Sequence, residues 1–242
     1  MLAIFSALKE EVKAVISEME VKETVHLRPA VIVRGEYLGK ELIVSHTGVG
    51  VDKMHRAVKF CADEYKPEMF LNAGFCGALS PNLSLGEAVV ATTIVYEKRS
   101  EEAVSPDVPL SDRLFSLCES NGLKVVRGGV LTVDKVVSTP HEKAFLGTKF
   151  GVVAVDMESY GFAVAVMGAP FAVVRVVLDP MDMHLPDFGD LVDDGGSSSV
   201  PHVIASAIRH PKKAWHLPQM AYCASKAGET LGRFLNEFIK TV

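Results

Sequence analysis

No C-x-x-C pair, no Cys/His cluster with zinc spacing, no run of lysines and arginines and no long apolar stretch occurs in this chain. Each absence closes off a class of protein. The cysteines Cys61, Cys76, Cys118 and Cys223 stand singly, so a zinc ribbon is excluded and reduced thiols in a cytoplasmic protein are expected. Lysines and arginines number 25 against 30 aspartates and glutamates, a formal net charge of −5. That balance, without a basic cluster, argues against nucleic acid as the main partner. No apolar run reaches the ~20 residues that span a bilayer. Met1–Leu8 is apolar but lacks a basic leader and is interrupted by Lys9, Glu10 and Glu11, so it reads as a buried first strand rather than a signal peptide. Asp179, Asp182, Asp187, Asp190, Asp193 and Asp194 crowd one stretch without EF-hand spacing. All but Asp179 read as a solvated loop, and neither a metal nor a bound cofactor is expected.

What is present is the composition of a globular domain, 48% hydrophobic and 23% charged. Short apolar runs rich in Val, Ile and Ala alternate with segments of helical period. Strands are expected at Leu2–Ala7, Ala30–Arg34, Glu41–His46, Met69–Ala73, Glu87–Val95, Lys124–Thr132, Val152–Val155 and Phe171–Leu178. Helices are expected at Glu10–Glu20, Val51–Glu64, Leu110–Asn121, Pro140–Gly147 and Met157–Met167. Thr139 is placed to cap the fourth of these, with Pro140 in its first turn. Nearly all-apolar strands flanked by helices predict an α/β fold with a mostly parallel sheet covered on both faces. From Asp179 to Ser199 the chain is a loop without period, and two helices, Pro201–Arg209 and Gln219–Ile239, close it. The last sets Met220, Ala224, Ala227, Leu231, Phe234 and Phe238 on one face. The whole, residues 1–242, reads as a single domain with a helical annex over residues 200–242.

In open α/β sheets ligands gather at the carboxyl ends of strands; four strand ends carry chemistry, and the Thr47–Gly50 turn is similar to one of them. Glu11 follows the first strand at the start of a helix; it can serve as a general base, or merely suit the helix dipole. Gly74 and Gly77, in Asn72-Ala73-Gly74-Phe75-Cys76-Gly77, allow a sharp turn with exposed N–H groups. The Thr47-Gly48-Val49-Gly50 turn before a helix can hold an anion or simply be tight. Asp156, Met157 and Glu158 follow an apolar strand; Glu158 can take two neighbouring sugar hydroxyls, or the acids can be a cap and a first-turn residue. Arg175 lies inside a buried strand that Asp179 ends. A buried charge needs a partner, so the two are either a structural pair or a working acid beside a cation. His46, His184 and Cys76 are further polar residues near these ends, each with a bland reading as core or surface. Trp215 with Lys212 and Lys213 allows a peripheral membrane contact, though two lysines fall short of an anchor.

These segments, in register from Leu2 to about Asp182, resemble the nucleoside phosphorylase/nucleosidase superfamily, most of all its methylthioadenosine/adenosylhomocysteine nucleosidase branch. Leu85-Gly86-Glu87-Ala88-Val89-Val90 belongs to the same match. The resemblance implies a three-layer α/β sandwich around a central mixed sheet flanked by helices, a homodimer or larger oligomer, and a small purine nucleoside as partner. It implies roles as well. Asp179 is the general acid at purine N7. Glu11 is the base for the nucleophile, with Arg175 assisting. Glu158 holds the ribose hydroxyls and Met157 packs on the sugar, with Asp156, Gly74, Phe75, Val137 and Thr47 completing the substrate site. Some positions depart from the family. Phe75 stands where a small hydroxyl residue is usual, Val136 and Val137 stand where a Phe stacks on the base, and Lys9 and Asn72 replace phosphate-holding arginines. Phosphate as co-substrate and water as nucleophile both stay open.

A second resemblance is narrower. Ser138-Thr139-Pro140-His141-Glu142-Lys143, Ala154 to Ser159, Asp179-Pro180, Leu185-Pro186, His210-Pro211 and Leu217-Pro218 are similar to the hopanoid-associated phosphorylase group. That group implies adenosylhopane, an adenine nucleoside with a lipid tail at the 5′ position, as substrate.

Overall fold

The computed structural model describes residues 1–166, 168–185 and 217–242. The expected loop beyond Leu185, the helix at Pro201–Arg209, Met167 and the Trp215 contact lie outside the described residues. The chain begins with β1 (Leu2–Ser6), α1 (Lys9–Ile16), β2 (Glu20–Leu27), β3 (Ala30–Tyr37), β4 (Lys40–His46), α2 (Val51–Tyr65) and β5 (Met69–Ala78). It continues through β6 (Ala88–Tyr96), α3 (Val108–Ser120), β7 (Val125–Thr132), α4 (Pro140–Phe150), β8 (Ala154–Asp156), α5 (Ser159–Ala165), β9 (Phe171–Asp179) and α6 (Leu217–Thr241).

One mixed sheet runs in the order β2-β3-β4-β1-β5-β8-β7-β6-β9, and β9 returns to pair with β5. That part of the sheet therefore closes on itself. β1 lies parallel to β4 and to β5, and β5 parallel to β9; the β5–β8 and β6–β9 pairings are antiparallel. One core packs Val12 and Val15 of α1, Leu110 and Leu114 of α3, and Leu231, Phe234 and Phe238 of α6 against one face. On the other face Met54 and Val58 of α2 and Phe162 of α5 form a second core. A third, smaller cluster joins Leu146 of α4 to Leu131, Val137 and Val155. Among the described residues no helix is long and apolar enough to cross a membrane.

Caps and turns follow local chemistry. Thr139 Oγ1 accepts the Glu142 N–H at 3.2 Å, and the Asp107 carboxylate accepts the Leu110 N–H at 2.8 Å. Leu38 and Gly39, both in the left-handed region, close the β3–β4 hairpin. Several elements differ from expectation. α1 ends at Ile16 rather than Glu20, because the chain leaves it to form β2, an unforeseen edge strand. β2 carries Glu20, Lys22 and Glu23 and is exposed along most of its length, so no apolar alternation marks it. β5 does not turn at Gly74 but runs on to Ala78, paired with β9 from Phe70 to Gly77. α5 begins at Ser159, two residues later than expected, because Asp156 accepts the Ser159 N–H and holds Met157 and Glu158 outside the helix.

Candidate active site

Glu11 folds back from the first turn of α1. Its carboxylate accepts the Leu8 N–H and the Phe75 N–H, each at 2.7 Å, and its residue is only 5% exposed. Burial raises its pKa above the usual carboxylate value, against the opposing pull of those two N–H groups and of Arg175. This explains the glycine at 74. A Cβ there would stand 2.7 Å from both Glu11 Oε1 and Arg175 Nη1, closer than any side chain tolerates. The expected anion-holding turn is thus a straight strand, and its glycine serves close approach of two charges.

Arg175 is engaged through two of its three nitrogens. Its Nε donates to Asp156 Oδ2 at 2.7 Å, and Nη2 donates to Ser159 Oγ at 2.9 Å and to Asn72 Oδ1. Asp156 also accepts from Thr132 Oγ1 at 2.8 Å and from the Ser159 hydroxyl. Asn72 in turn donates to the Phe5 carbonyl at 2.9 Å. The structural pairing of Arg175 with Asp179 that the sequence allowed is not made. Residues four apart on a strand are separated by roughly 13 Å, and the register slips between Cys76 and Gly77, which face Val177 and Asp179. Leu178 is the extra residue of this bulge, and a bulge re-aims the side chains beyond it.

Glu158 accepts the Gly50 N–H at 2.9 Å. Desolvation first, then the Asp156 carboxylate beside it, pushes its pKa up to about 8. Three carboxylates, Glu11, Asp156 and Glu158, thus lie around one buried guanidinium, and burial raises Glu11 and Glu158 toward their protonated forms. The Thr47–Gly50 turn reaches the site through the Gly50 N–H, not through Thr47. The Thr47 hydroxyl is buried, bonded to the carbonyls of Gly48 at 2.9 Å and Ser6 at 3.3 Å.

Asp179 ends β9 with its Oδ2 2.7 Å from Lys143 Nζ of α4. Burial raises its pKa to about 6 while Lys143 pulls the other way. Gly77 is its counterpart of Gly74: a Cβ there would lie 2.9 Å from Asp179 Oδ2. Cys76, between the two glycines, senses Asp179, Arg175, Asp156 and Lys143, yet burial pushes its thiol far up and keeps it neutral. The remaining expected residues flank these groups. Met157 is half-buried against the third core, which contains Val137. Phe75 offers its N–H to Glu11, while its ring tip lies against α6, 4.0 Å from where a Cβ on Gly228 would be. His46 is half-buried, its pKa lowered first by burial and then by Lys9, and His184 is exposed. Lys143, Asn72, Ser159 and Thr132 are polar partners whose roles the sequence did not reveal. Only Asp156 and Arg175, as unmatched charges in apolar runs, hinted that partners existed. Among the described residues no group of His, Cys, Asp and Glu is disposed to hold a metal ion.

Fold and site together define an α/β protein with a buried, proton-holding carboxylate cluster where β1, β5, β8 and β9 end. Residues 1–200 match the Phosphorylase superfamily, and the chain belongs to that family. It is 26% identical over 196 residues to a 5′-methylthioadenosine/S-adenosylhomocysteine nucleosidase of Bacillus thuringiensis subsp. konkukian, covering 74% of this chain and 85% of that one. In fold it is similar to the Neisseria meningitidis nucleosidase of the same name in complex with methylthio-immucillin-A, with a TM-score of 0.79, 18% identity, and 100% and 99% of the two chains covered. It is also similar to a futalosine hydrolase mutant of Helicobacter pylori, with a TM-score of 0.78, 17% identity, and 100% and 99% covered.

Proposed function

We propose that this chain cleaves the N-glycosidic bond of an adenine nucleoside with a 5′-modified ribose, using water. The single observation that carries the reading is the buried cluster of Glu11, Asp156 and Glu158 around one guanidinium already bound to Asp156. Breaking the C1′–N9 bond leaves an oxocarbenium-like sugar, which carboxylate charge stabilises, and an anionic purine, which needs a proton. Asp179 delivers that proton to N7. Glu11, aligned by two backbone N–H groups, takes the proton of the water that attacks C1′. Glu158 accepts from the ribose hydroxyls. Acid catalysis of this kind is worth about 10²–10⁴-fold. The relatives' names, nucleosidase and hydrolase, support water over phosphate. So does the site: among the described residues its buried cations, Arg175 and Lys143, are both paired with carboxylates.

A finer reading concerns the 5′ substituent. The two stretches that resemble the hopanoid-associated group touch one another: Lys143 Nζ donates to the carbonyls of Pro180 and Met183, and the Leu185 N–H donates to Ser138. The resemblance to that group is what makes adenosylhopane the long-tailed substrate to try first.

The test is base release from adenosine, methylthioadenosine, inosine and a 5′-alkyl adenosine, each with and without phosphate, with the sugar identified by mass spectrometry. We expect adenine and a free pentose at a rate that phosphate does not change. A ribose-1-phosphate product would replace water by phosphate. Tight nucleoside binding without base release from any of the four would make the chain a binding protein on the same scaffold.

A further inference from the structure

Lys143 is fully buried on α4, and its ammonium has three acceptors: Asp179 Oδ2 at 2.7 Å, the Pro180 carbonyl at 2.8 Å and the Met183 carbonyl at 3.3 Å. An ammonium has three protons to donate, so this contact saturates it. The backbone bond from the Leu185 N–H to the Ser138 carbonyl, 2.9 Å, ties the same segment to the residues that precede α4. Burying a lysine is costly unless it is paired, and here the pairing falls on the residue assigned as the acid. Among the described residues, the other titratable groups around Asp179 are the thiols of Cys76 on β5 and Cys223 on α6, both buried and both raised. Arg175, on its own strand, is held by Asp156. Asp182 and His184, in the segment that follows, are exposed. Lys143 is therefore the charge that governs Asp179.

We propose that Lys143 is a positioning residue for the glycosidic cleavage: it makes Asp179 a stronger acid and sets the upper pH limit of the reaction. The inference rests on the reading of Asp179 as the general acid. In that step the proton leaves the Asp179 carboxyl for N7 as the C1′–N9 electron pair passes to the purine. The carboxylate that remains is the species the Lys143 ammonium stabilises. A cation that favours the carboxylate pushes the proton onto the leaving base, and by the same interaction reduces the share of enzyme protonated at neutral pH. The two effects act at opposite ends of the pH range.

The experiment compares wild type, Lys143→Met, Lys143→Arg and Asp179→Asn. Asp179 is titrated by carboxyl ¹³C NMR, its signal identified by its loss in Asp179→Asn, and kcat/KM is followed against pH. An opposite charge at this distance moves a carboxyl by about 1–3 pH units. In Lys143→Met the NMR titration and the descending limb of kcat/KM should therefore both shift upward by about one unit or more. At the acid plateau the variant should be roughly tenfold slower, because a weaker acid donates less readily. Lys143→Arg should restore both. If Lys143→Met does not fold, Lys143→Gln, which keeps an N–H donor for the two carbonyls, carries the same comparison. An Asp179 titration unmoved in the folded variant overturns the proposal, as does a change confined to KM. A shifted titration in a protein that releases no base from any nucleoside overturns instead the reading of the reaction.

Discussion

At the scale of single residues, the site is organised by atoms that are missing. Gly74 and Gly77 on β5 leave room for Glu11 and Arg175 on one hand and for Asp179 on the other. Gly74→Ala inserts a methyl group at 2.7 Å from both charges. Overpacking of this kind typically costs ~1–3 kcal/mol, and a shift of about 1 Å at a reacting group can lower the rate roughly 10²-fold. We expect Gly74→Ala to fold with a lowered Tm and to lose about two orders of magnitude in kcat; a variant with unaltered kcat would remove Glu11 and Arg175 from the chemistry. The acids Glu11, Glu158 and Asp179 were legible in the sequence because each follows an apolar strand. Their partners were not. Lys143 lies 36 residues before Asp179 in a helix of mixed character, and nothing local distinguishes it from an exposed lysine.

At the scale of elements, β9 and α6 do most to place the site. β9 runs between β5 and β6, and its bulge at Leu178 turns Asp179 away from Arg175 and toward α4. α6 seals the opposite face, with Ala227, Leu231, Phe234, Leu235 and Phe238 fully buried against α1, α3, β5 and β9. Phe234 stacks on Phe238 with ring centroids 6.1 Å apart. Truncating a buried phenylalanine costs about 3–5 kcal/mol, so Phe234→Ala should lower the midpoint of chemical denaturation markedly. A loss under about 1 kcal/mol, the range of a surface change, would mean that α6 is not integral to the core. The helical period of α6 was plain in the sequence. The edge strand β2 was hidden because most of its length meets water, and the length of β5 because glycine favours a turn as readily as a close approach.

For the molecule as a whole, the site opposes stability at neutral and alkaline pH. Glu11, Glu158 and Asp179 all have raised pKa values, so the folded chain binds more protons than the unfolded one. Glu158 rises from 4.5 to about 8. The stability that comes with its protonated form is complete below 4.5 and is lost as the pH climbs through 8. Glu158→Gln keeps the acceptor for Gly50 and removes the ionisation. Its Tm should match wild type near pH 4 and exceed it increasingly toward pH 9. A gain of about 1 kcal/mol corresponds to ~2–4 °C in a chain of this size. Equal melting temperatures across that range would place the site's extra proton elsewhere. The ionised forms of these carboxylates therefore do not hold the fold together.

The sequence by itself determined the α/β class, most strand and helix positions, and the acids at the strand ends, because these follow from hydrophobic period, capping residues and charges that interrupt apolar runs. Only the tertiary structure decided which charge meets which. Arg175 belongs to Asp156, Glu158 to Gly50, and Asp179 to Lys143. The physical reason is that pairing in a low-dielectric core depends on distances of a few ångströms between elements far apart in the chain, set here by a one-residue bulge in β9 and by two glycines on β5.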